Sequence, residues 1–591
     1  MLAETDENLF ENAKLWLSNF EKTISHSRFG QLKELFHNDS HWRDLLAFTW
    51  HIQTVSGKEN IQNALQFHSR AAKPSEFKVD LYRTPPRLVT RAGLEVIEAI
   101  FRFKTAFGQA NGVFRLIQEG DNNRNLKAWT LATALVEING FEEPLGRNRP
   151  RGYSYSTDFS GPNWLDQRNA AIAYSDREPT VIVVGGGQAG LSIAARLRQL
   201  NVDTLIVDRE KRIGDNWRNR YHRLTLHNQV HVNHLPYMPF PPNWPAYIPK
   251  DKLAGWFEAY AESMELNFWT QTEFCGGTYD AENGRWSVKL NQQNRPTRTM
   301  HPRHIVMATG VSDIPNLPEI SSLQNFGGKI IHSSEYKNAK DWRGSNVLII
   351  GSGTSGHDIA QDLYSEGANV TLAQRSPTTI IDIEPSAQLP YALYDEGPSL
   401  EDCDLISAST PFDLLKKSHQ LITGQTKTLD KKLLAGLSRV GFKIDFGEED
   451  TGWQFKYLQR GGGYYFNVGC SNLIVERKVK LIQFSDIDGF VNEGIRIKNG
   501  DTLRSDLVVL ATGFKGQEYL VRELFGNRVA NRVGPIWGFD PQEQELRNMW
   551  VRTGQAGLWF IAGSFAQCRI YSKYLGLQIK ACEAGILPFT R

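Results

Sequence analysis

Two glycine clusters stand out among the chain's 50 glycines, because each is bracketed by what a dinucleotide needs. The first, Gly185-Gly186-Gly187-Gln188-Ala189-Gly190, directly follows the β-branched run at 181–184. In such a turn Gly185 permits the tight bend, Gly187 the close approach of a pyrophosphate, and Gly190 the packing of the next helix on the sheet. The helix expected over 191–200 aims its positive end at the phosphates, with Gln188 and Ala189 in the turn beneath them. A second strand at 204–207 follows that helix and ends in Asp208. That is where a carboxylate accepts from a ribose 2′-hydroxyl, and Arg209 beside it is counted with the cofactor contacts.

The second cluster, Gly351-Ser352-Gly353-Thr354-Ser355-Gly356, lies far downstream and follows the apolar run 347–350. Its second strand, 369–373, leads into Gln374-Arg375-Ser376 and carries no acid. An arginine there, with Ser376 next to it, suits a 2′-phosphate that a carboxylate would repel. The two turns therefore have opposite chemistry, and FAD in the first with NADPH in the second satisfies both. Two further strands end in small tight turns, Ala308-Thr309-Gly310 and Ala511-Thr512-Gly513. A strand at 558–562 runs into Gly563 and Ser564 and then a helix, which is expected to bring a helix N-terminus to the flavin.

Between the clusters lie Phe326, Gly328, His332 and Tyr336, spaced as FxGxxxHxxxY. With a GxGxxG on each side, this pattern resembles the class B flavin-dependent monooxygenases. Baeyer–Villiger members carry Trp and Pro near the end of the motif; here it ends Tyr336-Lys337, as in the flavin-containing monooxygenase and YUCCA-like branch. Gly214-Asp215-Asn216-Trp217 is similar to the family's segment beside the flavin, and Leu226-His227-Asn228 with Pro239-Phe240-Pro241 to the segment after it. Tyr464 to Gly469 is similar to a YUCCA-type run. The resemblance spans 180–582 and implies NADPH- and O2-dependent transfer of one oxygen atom to a small organic molecule through a flavin hydroperoxide. The product would be an N- or S-oxide, or that of a YUCCA-like oxidation of a 2-oxo acid. It also implies catalytic roles for Asn228, His332 and Tyr336, with Trp217 beside the flavin. Two rivals stay open: an NADPH oxidase or flavin reductase without oxygenation, and a non-catalytic flavin-binding interaction protein.

These residues need a frame, and the remaining pattern supplies it. Short β-branched runs alternating with helices from residue 180 onward mark parallel βαβ sheets. The expected class is α/β, with two Rossmann-like dinucleotide-binding domains preceded by an α+β cone-like domain. Helical spacing at Leu9, Phe10, Ala13, Trp16, Leu17 and Phe20, helices near 31–36 and 60–68, and strands at 95–103, 112–118 and 129–138 set the N-terminal stretch apart. That stretch resembles a nuclear-transport-factor-2-like (SnoaL-like) domain, whose sheet can make a pocket with Asp44 and His51 as candidate catalytic groups; the plainer reading of both is hydrogen-bonded core. The expected units are 1–140, a Gly/Pro-rich linker 141–178, the FAD unit as 179–340 and 506–591, and the NADPH unit as 341–505.

Composition limits what else the chain does. With 67 basic and 65 acidic residues among 591, its net charge is +2, which argues against a nucleic-acid partner. The five cysteines form no CxxC, so redox disulfide chemistry and a structural zinc are not expected. His222, His227, His231 and His234 crowd together without interleaved thiols or carboxylates, and read as a loop over the flavin with no metal. The acids 448–450 read as a solvated loop. No stretch reads as a leader or membrane anchor, so a cytoplasmic protein is expected, with room for homo-oligomers through the N-terminal domain.

Overall fold

Near-continuous apolar strands are the mark of a sheet covered on both faces, and the two glycine clusters each follow one. The computed structural model describes residues 6–119, 125–149 and 159–590. In the first sheet five parallel strands lie in the order Asn267–Trp269, Thr204–Val207, Val181–Val184, His304–Met307 and Leu558–Phe560. In the second the order is Lys480–Gln483, Asn369–Gln374, Asn346–Ile350, Leu507–Leu510 and Lys329–His332, again all parallel. The two are copies of one plan. Each runs strand, glycine turn, helix (Gln188–Gln199 or Thr354–Ser365), strand, then a three-stranded antiparallel meander, then the strand that enters the small tight turn.

The copies differ in their fifth strand. The first sheet takes Leu558–Phe560 from downstream; the second takes Lys329–His332 from upstream of its glycine turn. The expected boundaries of 341–505 for the second unit are therefore too narrow: strands 329–332 and 507–510, placed by the sequence in the FAD unit, complete the second sheet. The reason is hydrogen bonding. A central strand such as Asn346–Ile350 must be paired on both sides, and Leu507–Leu510 is its partner.

The N-terminal domain is a mixed seven-stranded sheet with helices Asp6–Ser25 and Lys58–Ala72. Its strands include Phe36–Leu45, Ile52–Ser56, Ser75–Val79 and Arg87–Arg91 in addition to the three expected. The helix expected near 31–36 is a 3-10 turn, Phe29–Glu34, leading into the strand Phe36–Leu45. Part of the expected linker is helical, Trp164–Ala173, with an Asn163/Asp166 capping box; residues 150–158 of it lie outside the described residues.

Helix Phe565–Glu583 is the hub. Phe565, Cys568, Leu575, Ile579 and Cys582 pack into the core of the first sheet. Ile570, Tyr574, Leu577 and Ala581, on another face, belong to the core of the N-terminal domain. A helix apolar on more than one face is buried between layers. The N-terminal domain is thus joined to the rest by a continuous apolar core, not tethered beside it. Among the described residues no helix is long and apolar enough to cross a membrane.

Candidate active site

The first glycine turn is built by close backbone approach. Gly185 has φ +103°, and a Cβ there would lie 2.7 Å from the Ala308 carbonyl oxygen. At Gly190 a Cβ would lie 1.9 Å from the Gly185 carbonyl oxygen, so the helix rests directly on the turn. Gly187 differs: its Cβ would meet only the Asn216 side-chain amide, at 2.9 Å, and no backbone. Space over Gly187 is therefore held open. Asp208 is fixed beneath it, Oδ2 accepting from the Gly186 N–H (2.6 Å) and Oδ1 from the Glu210 N–H (2.8 Å). Gln188 donates to the Gly563 carbonyl at 3.3 Å, tying the turn to the hub helix, and Ala189 is buried. Asn216 Oδ1 and Trp217 Nε1, on the short helix Asp215–Arg218, are buried with no hydrogen-bond partner among the described residues. Unpaired buried polar atoms beside an open glycine cradle fit a bound dinucleotide that supplies the missing partners. Arg209 instead points to the surface and pairs with Asp313 at 2.7 Å.

The second turn repeats the geometry. Gly351 has φ +119° with its Cβ position 2.2 Å from the Ala511 carbonyl oxygen, and Gly356 stands against Gly351 as Gly190 does against Gly185. At Gly353 a Cβ would meet nothing nearer than the Tyr464 carbonyl oxygen at 3.9 Å. Thr354 Oγ1 donates to that same carbonyl (2.9 Å), joining the helix start to the strand Tyr464–Asn467. Arg375 and Ser376 are exposed just past the strand Asn369–Gln374, and Arg375 forms no ion pair among the described residues.

The second turn, and Gln188 of the first, line a cleft of about 900 Å³, within the roughly 300–1,000 Å³ range of ligand sites. Gln188, Trp217, Asn228, Gly351, Gly353, Thr354, Ser355, Arg375, Ser376, Ala511, Thr512, Gly513 and Ser564 line it. Two arginines that the fingerprints do not reveal, Arg220 and Arg460, line it too. Arg460 opens the run Arg460-Gly461-Gly462-Gly463 after a helix, and that glycine run is the signal the sequence offers. Ser564 caps the hub helix, accepting from the Gln567 N–H while Gln567 reciprocates, so the helix N-terminus opens on the cleft. Gly563 turns into it with φ +120°.

The three residues expected to be catalytic separate. Asn228 lines the cleft and donates from Nδ2 to the Tyr391 hydroxyl (3.1 Å). His332 and Tyr336 are not among the lining residues. His332 is buried, its Nδ1 bonded to Ser334 Oγ (2.9 Å) and its Nε2 to the Gly513 carbonyl (3.1 Å). Burial lowers its pKa, so the ring is neutral near pH 7 and one nitrogen donates. Tyr336 donates to Asp362 (2.6 Å) within the core of the second sheet. Sequence spacing puts both at the site, whereas the fold ties His332 to the turn Ala511–Gly513 and Tyr336 to the helix Thr354–Ser365, outside the cleft lining. In the N-terminal domain, Asp44 is fully buried and hydrogen-bonded. Its oxygens accept from Thr133 and Thr49 hydroxyls and from the Phe48 and Thr49 N–H groups. His51 lies near Arg552 (Nε2 to Nη2, 3.4 Å).

Known proteins resemble this arrangement. The family described as pyridine nucleotide-disulphide oxidoreductase matches residues 182–393. A probable indole-3-pyruvate monooxygenase of Arabidopsis thaliana, YUCCA10, is 29% identical over 341 residues, covering 57% of this chain and 82% of its own length. An indole-3-pyruvate monooxygenase of Oryza sativa subsp. japonica, YUCCA1, is 28% identical over 355 residues, covering 59% and 80%. In fold, the chain is similar to a mutant cyclohexanone monooxygenase from Rhodococcus sp. Phi1 bound to NADP+ (TM-score 0.52, 14% identity, covering 69% of this chain and 86% of that one). It is also similar to OTEMO in complex with FAD and NADP (TM-score 0.51, 16% identity, 69% and 86%).

Proposed function

We infer that the chain is a class B flavin-dependent monooxygenase that spends NADPH and O2 to insert one oxygen atom into a small organic substrate, with FAD and NADPH as its cofactors. The observation that carries this is the pair of glycine cradles, Gly187 and Gly353, set about one cleft that Gln188, next to Gly187, and Gly353 itself line, with an acid beyond the first and, beyond the second, an arginine that forms no ion pair among the described residues. Bound together, the two cofactors supply hydride transfer and oxygen activation.

The protein's part is to hold and orient. Gly185, Gly187 and Gly190 with the helix Gln188–Gln199 take the FAD pyrophosphate. Asp208 keeps lone pairs for a ribose hydroxyl beside the two backbone bonds it already accepts. Gly351, Gly353 and Gly356 with Thr354 and Ser355 take the second pyrophosphate, and Arg375 with Ser376 takes the 2′-phosphate. The turns Ala308–Gly310 and Ala511–Gly513 back the glycines. The Ser564 helix end stabilises negative charge that develops in the cleft. Asn228, held by Tyr391, faces the ring end of the flavin. Whether the oxygen goes to nitrogen, sulfur or the carbon of a 2-oxo acid is set by the substrate pocket.

The N-terminal domain we read as nuclear-transport-factor-2-like; two helices against a mostly antiparallel sheet support that reading. Five free thiols support a cytoplasmic placement.

The test is a balance sheet of the purified holoenzyme: NADPH and O2 consumed, hydrogen peroxide released, and isotopically heavy oxygen from O2 found in product across a panel of amines, thioethers and 2-oxo acids. Heavy oxygen in product is expected. Complete return of electrons as peroxide with every substrate would favour the oxidase.

A further inference from the structure

A second cavity, of about 170 Å³, lies behind the cleft. Tyr457 and Ser564 line both spaces. Asn228 on the cleft side is hydrogen-bonded to Tyr391, which lines the cavity. The cavity therefore adjoins the cleft at the N-terminus of the hub helix, next to where the flavin ring is read to lie. Phe412, Phe539 and Trp550 add aromatic walls. An engineered apolar cavity of about 150 Å³ holds a benzene ring, so this one has room for a single ring system.

Its polar wall comes from the N-terminal domain. Arg43, on the strand Phe36–Leu45, lines the cavity with its side chain buried. Nη1 donates to the carbonyls of Ala408 and Thr410 (both 2.9 Å). Nη2 donates to Glu545 Oε2 (2.7 Å) and lies 3.5 Å from the Tyr571 hydroxyl. Nε is buried without a partner. The guanidinium thus has nothing accessible left for a ligand, and Glu545 matches its charge. Glu545 also lines the cavity, and its Oε1 accepts no hydrogen bond among the described residues. His419, the other titratable base on the wall, is held near 4 by burial and is neutral near pH 7. Among the charged groups of the wall, what remains for a ligand is an acceptor, not a cation.

We propose that this cavity is the substrate pocket, that the Arg43–Glu545 pair spanning the domain junction sets its specificity, and that it admits a neutral or cationic ring compound with an N–H or O–H donor for Glu545, excluding carboxylates. This rests on the monooxygenase reading, since it places the substrate beside the flavin.

The experiment is calorimetric titration of the FAD-loaded enzyme with benzylamine, benzyl alcohol and phenylacetate, reporting binding whether or not the probe reacts. The enzyme must first hold FAD and be bleached by NADPH; failure there sinks the monooxygenase reading and leaves the pocket to be judged on binding. Wild type should bind benzylamine and benzyl alcohol, with phenylacetate weaker by roughly 10-fold or more, the effect of one charge-assisted hydrogen bond. Glu545→Gln should erase most of the benzylamine preference. Leu415→Trp, filling the cavity from another wall, should weaken all three probes and keeps the proposal testable if the first variant does not fold. Phenylacetate bound as tightly as benzylamine in wild type, or all probes unaffected by Leu415→Trp, would overturn it.

Discussion

Six glycines carry the two turns, under two separable demands. Gly185, Gly190, Gly351 and Gly356 are held by backbone: their Cβ positions lie 1.9–2.7 Å from carbonyl oxygens that do not move without the sheet. Gly187 and Gly353 meet a side-chain amide or open space instead. Substitutions should separate accordingly. Gly190→Val should cost several kcal/mol as a steric clash in the core, seen as a fall in denaturation midpoint of the apoprotein. Gly187→Val should leave that midpoint almost unchanged, with the Asn216 amide moving aside, yet abolish bound flavin, measured by absorbance. A folded Gly187→Val protein with full FAD content would remove the first cradle from the cofactor site. Arg375 belongs to the same scale. A charge-assisted contact is worth about 1.5–3 kcal/mol, so Arg375→Ala should raise KM for NADPH by roughly 10- to 150-fold and far more than KM for NADH. The group is exposed, so the smaller figure is expected at physiological salt. Equal effects on both nucleotides would place the 2′-phosphate elsewhere.

At the scale of elements, His332 tests whether a residue outside the cleft lining bears on the reaction. It ends the edge strand Lys329–His332 and bonds to the carbonyl of Gly513, which lines the cleft. His332→Ala should leave FAD bound but loosen that turn, raising the hydrogen peroxide released per NADPH, because water exclusion depends on the turn's position. An unchanged ratio in a destabilised protein would reduce His332 to packing. The same element shows what the sequence conceals. Both glycine turns are legible because strand, glycines, helix and second strand are consecutive. The edge strand falls to the wrong sheet on sequence alone, because its partner, Leu507–Leu510, comes only after the whole of the second unit. Pairing over such distances leaves no local pattern. In the N-terminal domain the strand Phe36–Leu45 carries Ser40, His41, Arg43 and Asp44, all buried. Alternation of polar and apolar residues does not find a strand whose polar side chains are buried, and so the residue that walls the second cavity is hidden too. The hub helix, apolar on two faces, is legible as a helix; what lies on its second face is not.

At the scale of the whole molecule, a buried charge cluster links the N-terminal sheet to the segment around Glu396 and Ile406. Glu98, 2% exposed, accepts from Arg115 Nε (2.9 Å), from Arg91 Nε (2.9 Å) and Nη2 (2.8 Å), and from Arg87 Nη2 (2.8 Å). Arg91 and Arg87 also hold Glu396, and Arg115 Nη2 reaches the Ile406 carbonyl at 3.3 Å. Glu396 directly follows the segment Ser386–Asp395, which carries Tyr391 of the second cavity. Through these bonds the N-terminal sheet fixes the wall of the pocket. Burial pushes the Glu98 carboxyl up, but Arg115, Arg91 and Arg87 together outweigh it and hold it at about 2. A carboxylate depressed in the folded state stabilises above its unfolded value of 4.5, and that stabilisation is lost as pH falls from there toward about 2. Glu98→Gln should therefore act twice. At neutral pH it leaves three arginines with one carboxylate fewer, costing about 3–5 kcal/mol as for other broken buried pairs. Between pH 4.5 and about 2 its stability should fall less steeply than that of wild type, because the titrating group is gone. Urea denaturation followed by tryptophan fluorescence at a series of pH values reads both effects. Two curves that stay parallel through that range would show that folding does not shift the Glu98 carboxyl, and the three arginines would then not stabilise its charge.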